Sequence, residues 1–380
     1  EEARGDSRLS GLLIRGNLLP GSSGGSFAAL RELRRSVADF AAEKPVWAYL
    51  EMDSLRDLYL KSAASEIIAN PHAAAEFRGL RAERLYMGEA LERIGIGFQV
   101  AVFEEYKSAA DTLLRGSMSE AEQQELASLL DDLWQVIAGD IAEARELDLE
   151  QLDRLAGDQV LLYGQELVEA GLADQLLEKD AFIDYMASHS GYSESGETFR
   201  QFAFLDYRDS AAPTFPTLEM MSQQNQVAIV YADGMLIDGE DGDGYIGSDR
   251  VVRDLRELRN DQSVKAIVLR INSPGGSATA SNKVARAIQE TNREKPVMVS
   301  LGGIATSAGY MMAASGDYIF CEPSTITGSI GVVLTLPNIK ELAAKLSLNF
   351  DGVETHPFAG TYSLARPKTE EEMRQIRDLA

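Results

Sequence analysis

The segment Gly302-Gly303-Ile304-Ala305-Thr306-Ser307-Ala308-Gly309-Tyr310 places one serine among small residues, directly after the apolar run Pro296 to Leu301. A short apolar run bounded by Pro and Gly-Gly reads as a buried strand. The residues from Ala308 to Ala314 have helical character, so Ser307 is expected where a strand turns into a helix. Free backbone N–H groups and the positive end of a helix dipole at such a junction favour an oxyanion and an activated hydroxyl. Taken by itself, a serine in a small-residue turn is usually just a helix cap. Upstream, Gly275-Gly276-Ser277 forms a second small-residue turn, which reads either as a tight strand-to-helix connection or as a backbone surface open to a substrate carbonyl.

The chain's composition narrows the chemistry. Its 380 residues suffice for two or three domains, and 45% hydrophobic with 25% charged residues is the balance of a globular protein. A net charge of −24 opposes a phosphate backbone, so nucleic acid is not an expected partner. The single cysteine, Cys321, excludes an internal disulfide and any Cys-based metal site, and its apolar, strand-like surroundings read as inert packing. Three scattered histidines (His72, His189 and His356) give no zinc pattern, so no metal and no cofactor are expected. No run of eighteen apolar residues occurs. The start at Glu-Glu-Ala and the end within an apparent helix read as a fragment cut at both ends.

The elements that must position Ser307 come from an internal echo. Gly24-Gly25-Ser26, a helical stretch, then Glu43-Lys44-Pro45-Val46 recurs as Gly275-Gly276-Ser277, a helical stretch, then Glu294-Lys295-Pro296-Val297. The offset is constant at 251 (275 − 24 and 296 − 45), and Tyr59 and Tyr310 keep it. Each copy reads as strand, Gly-Gly turn, helix, strand, helix, strand, which favours a mainly parallel α/β sheet with crossover helices. The expected organisation is a first α/β unit over 1–116, a helical connecting segment with linker over 117–212, and a second α/β unit over 213–380. Expected strands in the second unit are Gln226 to Leu236, Val264 to Ile271, Pro296 to Leu301 and Asp317 to Cys321. Expected helices are Ala278 to Glu290, Ala308 to Ala314 and Leu336 to Leu346. At the same offset Arg56 matches Ser307, and Lys107 faces Ala359 after a one-residue slip. One copy thus keeps a serine and the other a lysine.

Three motifs in order, Asn272-Ser273-Pro274-Gly275-Gly276-Ser277, the Ser307 turn and Ser324-Thr325-Ile326-Thr327-Gly328-Ser329-Ile330-Gly331, resemble the signal peptide peptidase A family, also called protease IV, in its long, internally duplicated bacterial form. The resemblance also takes in Tyr106-Lys107-Ser108 and the stretch from Gly164-Gln165-Glu166 to Gly171-Leu172-Ala173-Asp174. It implies two tandem Clp/crotonase-like units and a serine endopeptidase that degrades cleaved signal peptides. It further implies a homo-oligomer, expected to be a tetramer, held by an anchor to the inner (cytoplasmic) membrane and facing the periplasm or cell exterior. It assigns the nucleophile to Ser307, the general base to Lys107, the residue orienting that lysine to Ser329 and the oxyanion hole to Gly275 and Gly276.

A lysine can serve as base only if burial lowers its pKa from about 10.4 towards neutrality. Glu104 and Glu105 would oppose that shift, and a lysine in sequence is otherwise a solvated surface charge. Ser329 could instead cap the following segment. The oxyanion would be met by N–H groups of the Gly275-Gly276 turn and of Ser307 itself, each worth about 3 kcal/mol. An extended, apolar peptide would bind by adding a strand beside Gly275 to Ser277. Competing expectations are a crotonase-like acyl-thioester enzyme using the Gly-Gly turn, a Ser-His-Asp peptidase using His356, and an inactive peptide-binding scaffold.

Overall fold

The computed structural model describes residues 2–18, 26–103, 107–211 and 225–379. The expected Gly24-Gly25 turn, Glu104, Glu105 and the junction at 212–213 lie outside the described residues. The first half builds a sheet of β1 (Leu12–Ile14), β2 (Val46–Asp53), β3 (Glu66–Glu76), β5 (Leu161–Tyr163) and β6 (Gln175–Leu176). The order is β1-β2-β3-β5, with β6 also on β3, and every pairing except β3 with β5 is parallel. The second half builds the sheet β12-β11-β10-β7 from β7 (Gln226–Asp233), β10 (Val264–Ser273), β11 (Val297–Thr306) and β12 (Tyr318–Phe320), with β13 (Ile326–Gly328) also on β11; all these pairings are parallel. The chain is therefore a mixed α/β protein with mainly parallel sheets.

Crossover helices α1 (Phe27–Ala41) and α2 (Leu55–Lys61) flank the first sheet. The long helix α3 (Glu120–Arg145) and α4 (Lys179–Ser190) follow. The second half carries α5 (Ser248–Asn260), α6 (Ala278–Asn292) and α7 (Ala308–Ala313). The serine of each Gly-Gly-Ser echo caps the helix after it. Ser26 Oγ accepts from Ala29 N–H, and Ser277 Oγ accepts from Ala280 N–H, an exchange worth roughly 1 kcal/mol per cap. Ala28, Leu30, Val37 and Phe40 of α1 and Ala280, Val284 and Ile288 of α6 then face their cores at helical spacing. Trp47 and Tyr49 on the opposite face of β2 are covered by Phe182 and Met186 of α4. On β7 the outward Val227, Ile229 and Tyr231 stay exposed.

Several expected boundaries change. The strand expected from Gln226 to Leu236 breaks at Gly234, whose φ of +115° ends β7 before β8 (Met235–Ile237) begins. The strand expected to stop at Leu301 continues through Gly302 and Gly303 to Thr306. Both glycines are extended backbone under close approach: a Cβ on Gly303 would lie 2.2 Å from Ser26, and one on Gly302 2.9 Å from Asn272. The helix expected from Leu336 is strand at first, since β14 (Val333–Asn338) precedes a short helix, Lys340–Lys345. Cys321 is exposed, and Tyr318, Ile319 and Phe320 beside it are exposed too, so it is not core packing.

Two devices hold the halves together. Arg31 on α1 donates to Asp140 of α3 at 2.8 Å and to Glu322 at 3.0 Å, while Arg270 pairs with Glu32 at 2.8 Å. The second is an antiparallel ladder between β4 (Gly97–Val102), from the first half, and β14 from the second. Its register pairs Val102 with Val333 and Gly97 with Asn338, and Phe103 N–H extends it to the Val332 carbonyl at 3.1 Å. Ala101 on this ladder packs under Met373 and Ile376 of the C-terminal helix, Glu370–Leu379. No helix among the described residues is long and apolar enough to cross a membrane.

Candidate active site

Ser307 lies at the single-residue junction between β11 and α7, with φ 53° and ψ −117°. A non-glycine residue held there carries strain of order 1–3 kcal/mol, so its surroundings must enforce the turn. Its N–H donates to the Gly328 carbonyl at 2.9 Å, and its carbonyl accepts from Met311 N–H at 2.9 Å. Thr306 Oγ1 donates to the Pro274 carbonyl at 2.9 Å, tying the end of β11 to the Pro-Gly-Gly turn. A sharp strand-to-helix turn of this kind lifts the side-chain oxygen clear of the sheet. Among the described residues Ser307 Oγ has no hydrogen-bond partner, and the residue is partly exposed. Ala308 is the first helical residue and is not among the positive-φ positions, so the side chain there brings no backbone strain.

The Gly275-Gly276 turn lies against this serine. A Cβ added to Gly275, at φ +117°, would come within 2.9 Å of Ser307 Cβ. One added to Gly276, at φ +145°, would come within 2.1 Å of the Leu236 carbonyl oxygen. The turn is pinned by a bridge: Leu236 N–H donates to Gly275 O at 2.8 Å, and Ser277 N–H donates to Leu236 O at 2.9 Å. One edge of 275–277 is therefore already paired with β8, and only the edge bearing the Gly276 amide is left for an added strand. Gly275 N–H donates to Ser273 Oγ at 3.3 Å. Among the described residues no backbone acceptor is paired with Gly276 N–H. The expectation that Ser307 N–H faces an oxyanion is overturned, because Gly328 O occupies it. Ala308 N–H, first in α7, has no intrahelical acceptor and replaces it as a candidate.

Lys107 follows β4 rather than lying in a strand. It is 8% exposed, and its Nζ donates to the carbonyl and, at 2.9 Å, to the Oγ of Ser329. Among the described residues burial is the cause that acts on it: by penalising the ammonium it lowers the pKa from the ordinary lysine value. Ser329 has φ 50° and directly follows Gly328, whose carbonyl holds the Ser307 amide. The structure thus places Lys107 and Ser307 at the two ends of the dipeptide Gly328-Ser329 within one chain. A serine unit lacking its own lysine does not require a second chain to receive one. His356 lies in an exposed loop, its Nδ1 beside Thr355 Oγ1 at 3.1 Å. Among the described residues no group of three or more His, Cys, Asp or Glu is placed to hold a metal ion.

The first half contains a junction that the constant sequence offset misplaces. β2 has 8 residues and β11 has 10, and each is followed by one residue and then a helix. Ser54, not Arg56, therefore stands where Ser307 stands, β11 being two residues longer than β2. Ser54 has φ −77° and ψ 167°, and its Oγ donates to Asp57 Oδ2 at 2.6 Å in a capping box. The strained turn is absent there and the hydroxyl is committed. Measuring from the helix start instead of the strand start would have found it.

Residues 38–193 and 289–379 match the family described as Peptidase family S49, and residues 239–325 match Clp protease. "Protease 4" of Haemophilus influenzae is 30% identical over 97% of this chain and 60% of its own length. "Protease 4" of Salmonella typhi is 29% identical over 94% and 58% respectively. "Serine protease SPPA, chloroplastic" of Arabidopsis thaliana is 29% identical over 93% and 52%. The chain spans somewhat over half the length of these relatives. With nearly two thirds of its residues inside the two S49 segments, the chain belongs to peptidase family S49.

Proposed function

We propose that the chain is a serine endopeptidase in which Ser307 is the nucleophile and Lys107 the general base. The observation that carries this reading is a lysine buried to 8% exposure and tied to Ser329, one residue beyond the carbonyl that holds the strained Ser307 turn. Neutral Lys107 takes the hydroxyl proton as Ser307 Oγ adds to the peptide carbonyl, then delivers it to the departing amine. The amides of Gly276 and Ala308 stabilise the oxyanion, Gly275, whose own N–H is held by Ser273 Oγ, shapes the turn, and water then releases the acyl group by the same steps in reverse. Ser329 orients the lysine without adding a charge.

The substrate class in this proposal is an extended, mainly apolar peptide laid along the Gly276 edge, with cleaved signal peptides as the physiological case. The two α/β halves are read as an internal duplication over 1–116 and 213–380, joined by the segment 117–212. Assembly into a ring of four chains, and attachment to the inner membrane with the site facing outward, complete the reading as what the family resemblance of the three motifs implies. A crotonase-like chemistry leaves a buried, serine-bound lysine without a task, and a Ser-His-Asp mechanism leaves only His356 in its exposed loop. Acylation of Ser307 by a serine-directed fluorophosphonate, mapped by peptide mass, tests the proposal. Labelling of Ser307 that is lost in Lys107→Ala supports it; an unlabelled Ser307 in folded protein refutes it.

A further inference from the structure

The first half holds a cavity of about 460 Å³ lined by Asn17, Leu18, Met52 to Ser54, Arg56, Asp57, Ala74, Glu76 and Leu161. Strand register shows where this cavity lies. Asp53 pairs with Ala75 as Thr306 pairs with Gly328, so Glu76 falls where Ser329 falls and Ser54 where Ser307 falls. The cavity is therefore the first half's counterpart of the Ser307 cleft, at the carboxyl ends of parallel strands where α/β proteins place their ligands. Its volume is that of a small-ligand site.

The charges in it are unequal in one respect. Asp53 is paired with Lys61, a fully buried partner. Asp57 accepts from Leu18 N–H at 2.6 Å and from Ser54, and Glu76 is 3.1 Å from Arg78. Arg56 alone among them has no partner among the described residues, and its Nε is buried without an acceptor. A buried N–H left unmade is costly and asks for an explanation. A guanidinium presents a planar fork that fits a carboxylate in two parallel hydrogen bonds. Leu18, Met52, Ala74 and Leu161 supply apolar walls around it.

We propose that this cavity is a non-catalytic binding site for a carboxylate carried on an apolar body, namely the C-terminal carboxylate of a cleaved peptide, with Arg56 as its counter-charge. The choice of a peptide end over a free small carboxylate rests on the peptidase reading. The hydroxyl of Ser54, held by Asp57, does no chemistry there, so the duplicate cleft retains peptide instead of cutting it.

The test uses the full chain carrying Ser307→Ala, so that no turnover intervenes. An N-terminally fluorescent apolar tetrapeptide is titrated by anisotropy as the free acid and as the C-terminal amide, with hexanoate as competitor. Acid should bind at least about tenfold tighter than amide, and Arg56→Gln should erase that difference. Equal binding of acid and amide, or a preference undiminished in R56Q, overturns the site. Displacement by hexanoate as effective as by unlabelled peptide acid overturns the peptide assignment. If R56Q does not fold, Arg56→Lys decides: it keeps the charge but loses the fork, and an unchanged preference overturns the proposal. Acid preference in a chain that hydrolyses no peptide would sink the peptidase reading and leave the carboxylate site standing.

Discussion

Lys107 Nζ and Ser329 Oγ meet at 2.9 Å although 222 positions separate them in the chain. The contact is a product of the β4–β14 ladder, which runs Val102 alongside Val333 and so delivers the residues just beyond each strand to one place. Because Ser329 is joined to Gly328, and Gly328 O holds the Ser307 amide, the ladder fixes the lysine relative to the serine turn through three bonded and hydrogen-bonded steps.

The first prediction concerns the charge of that lysine. Lys107→Arg keeps a cation of similar length that does not deprotonate in proteins. With Lys107 as base, the arginine variant should be as inactive as Lys107→Ala, each at least about 10³-fold below the parent in kcat, as removal of one member of a catalytic unit gives. Peptide hydrolysis rates with circular dichroism as the folding control decide it. An active arginine variant would assign lysine a purely electrostatic role.

The second prediction is a pH dependence. Burial lowers the Lys107 pKa, so kcat/KM should rise with pH through a single limb lying below about 10.4, the unperturbed lysine value. Desolvation is screened by salt far less than a surface charge pair is, so the limb should move little between 0.05 M and 0.5 M salt. Stability follows with a defined sign. Between the lowered folded pKa and about 10.4 the unfolded chain binds more protons, so folding becomes more favourable as pH rises through that window. Lys107→Met should therefore be more stable than the parent at pH 7, by about 0.5–2 kcal/mol, with the gain shrinking towards pH 10. Denaturant titrations at both pH values measure it; a variant destabilised equally at both would contradict the burial penalty.

How much of this was legible in the chain depends on the range of the interactions. The Ser307 junction was readable because an apolar run and a small-residue helix adjoin in sequence. The parallel α/β class followed from the Gly-Gly-Ser echoes, whose serines are helix caps. The burial of Lys107 was not readable locally: nothing in Val102 to Ser108 announces a ladder to a strand more than two hundred residues away. Ser54 was missed for a different reason. β11 is two residues longer than β2, and a constant offset counted from the strand start cannot register that difference. The strand character of Leu336 to Asn338 also came only from pairing with β4.

A third prediction separates the two turn glycines. Gly275→Ala puts a methyl 2.9 Å from Ser307 Cβ at φ +117°, so it should displace the serine and cut kcat by at least about 100-fold, for backbone strain of about 1–3 kcal/mol. Gly276→Ala puts its methyl 2.1 Å from the Leu236 carbonyl, a backbone atom that cannot swing aside, and should lower Tm more than Gly275→Ala does. Thermal unfolding and turnover of the two variants side by side test the ordering. Equal Tm losses with retained activity in Gly275→Ala would mean the turn does not bear on Ser307.

The last prediction acts at a distance from every candidate catalytic side chain. The bond from Phe103 N–H to Val332 O fixes the ladder's alternation, so the next hydrogen-bonded pair is Ala101 with Leu334. Leu334→Pro removes that donor and with it one hydrogen bond of the ladder. Neither residue lies beside Ser307, yet the ladder is what brings Lys107 to Ser329. The variant should therefore lose activity by more than tenfold at a temperature where circular dichroism still reports a folded chain. Its Lys107 should recover a higher pKa as water reaches the ammonium, moving the kcat/KM limb upward in pH. A conservative control, Leu334→Val, keeps the N–H and should leave both the limb and the rate within about twofold of the parent. Unchanged pH dependence in folded Leu334→Pro would show that Lys107 is buried by something other than the β4–β14 pairing.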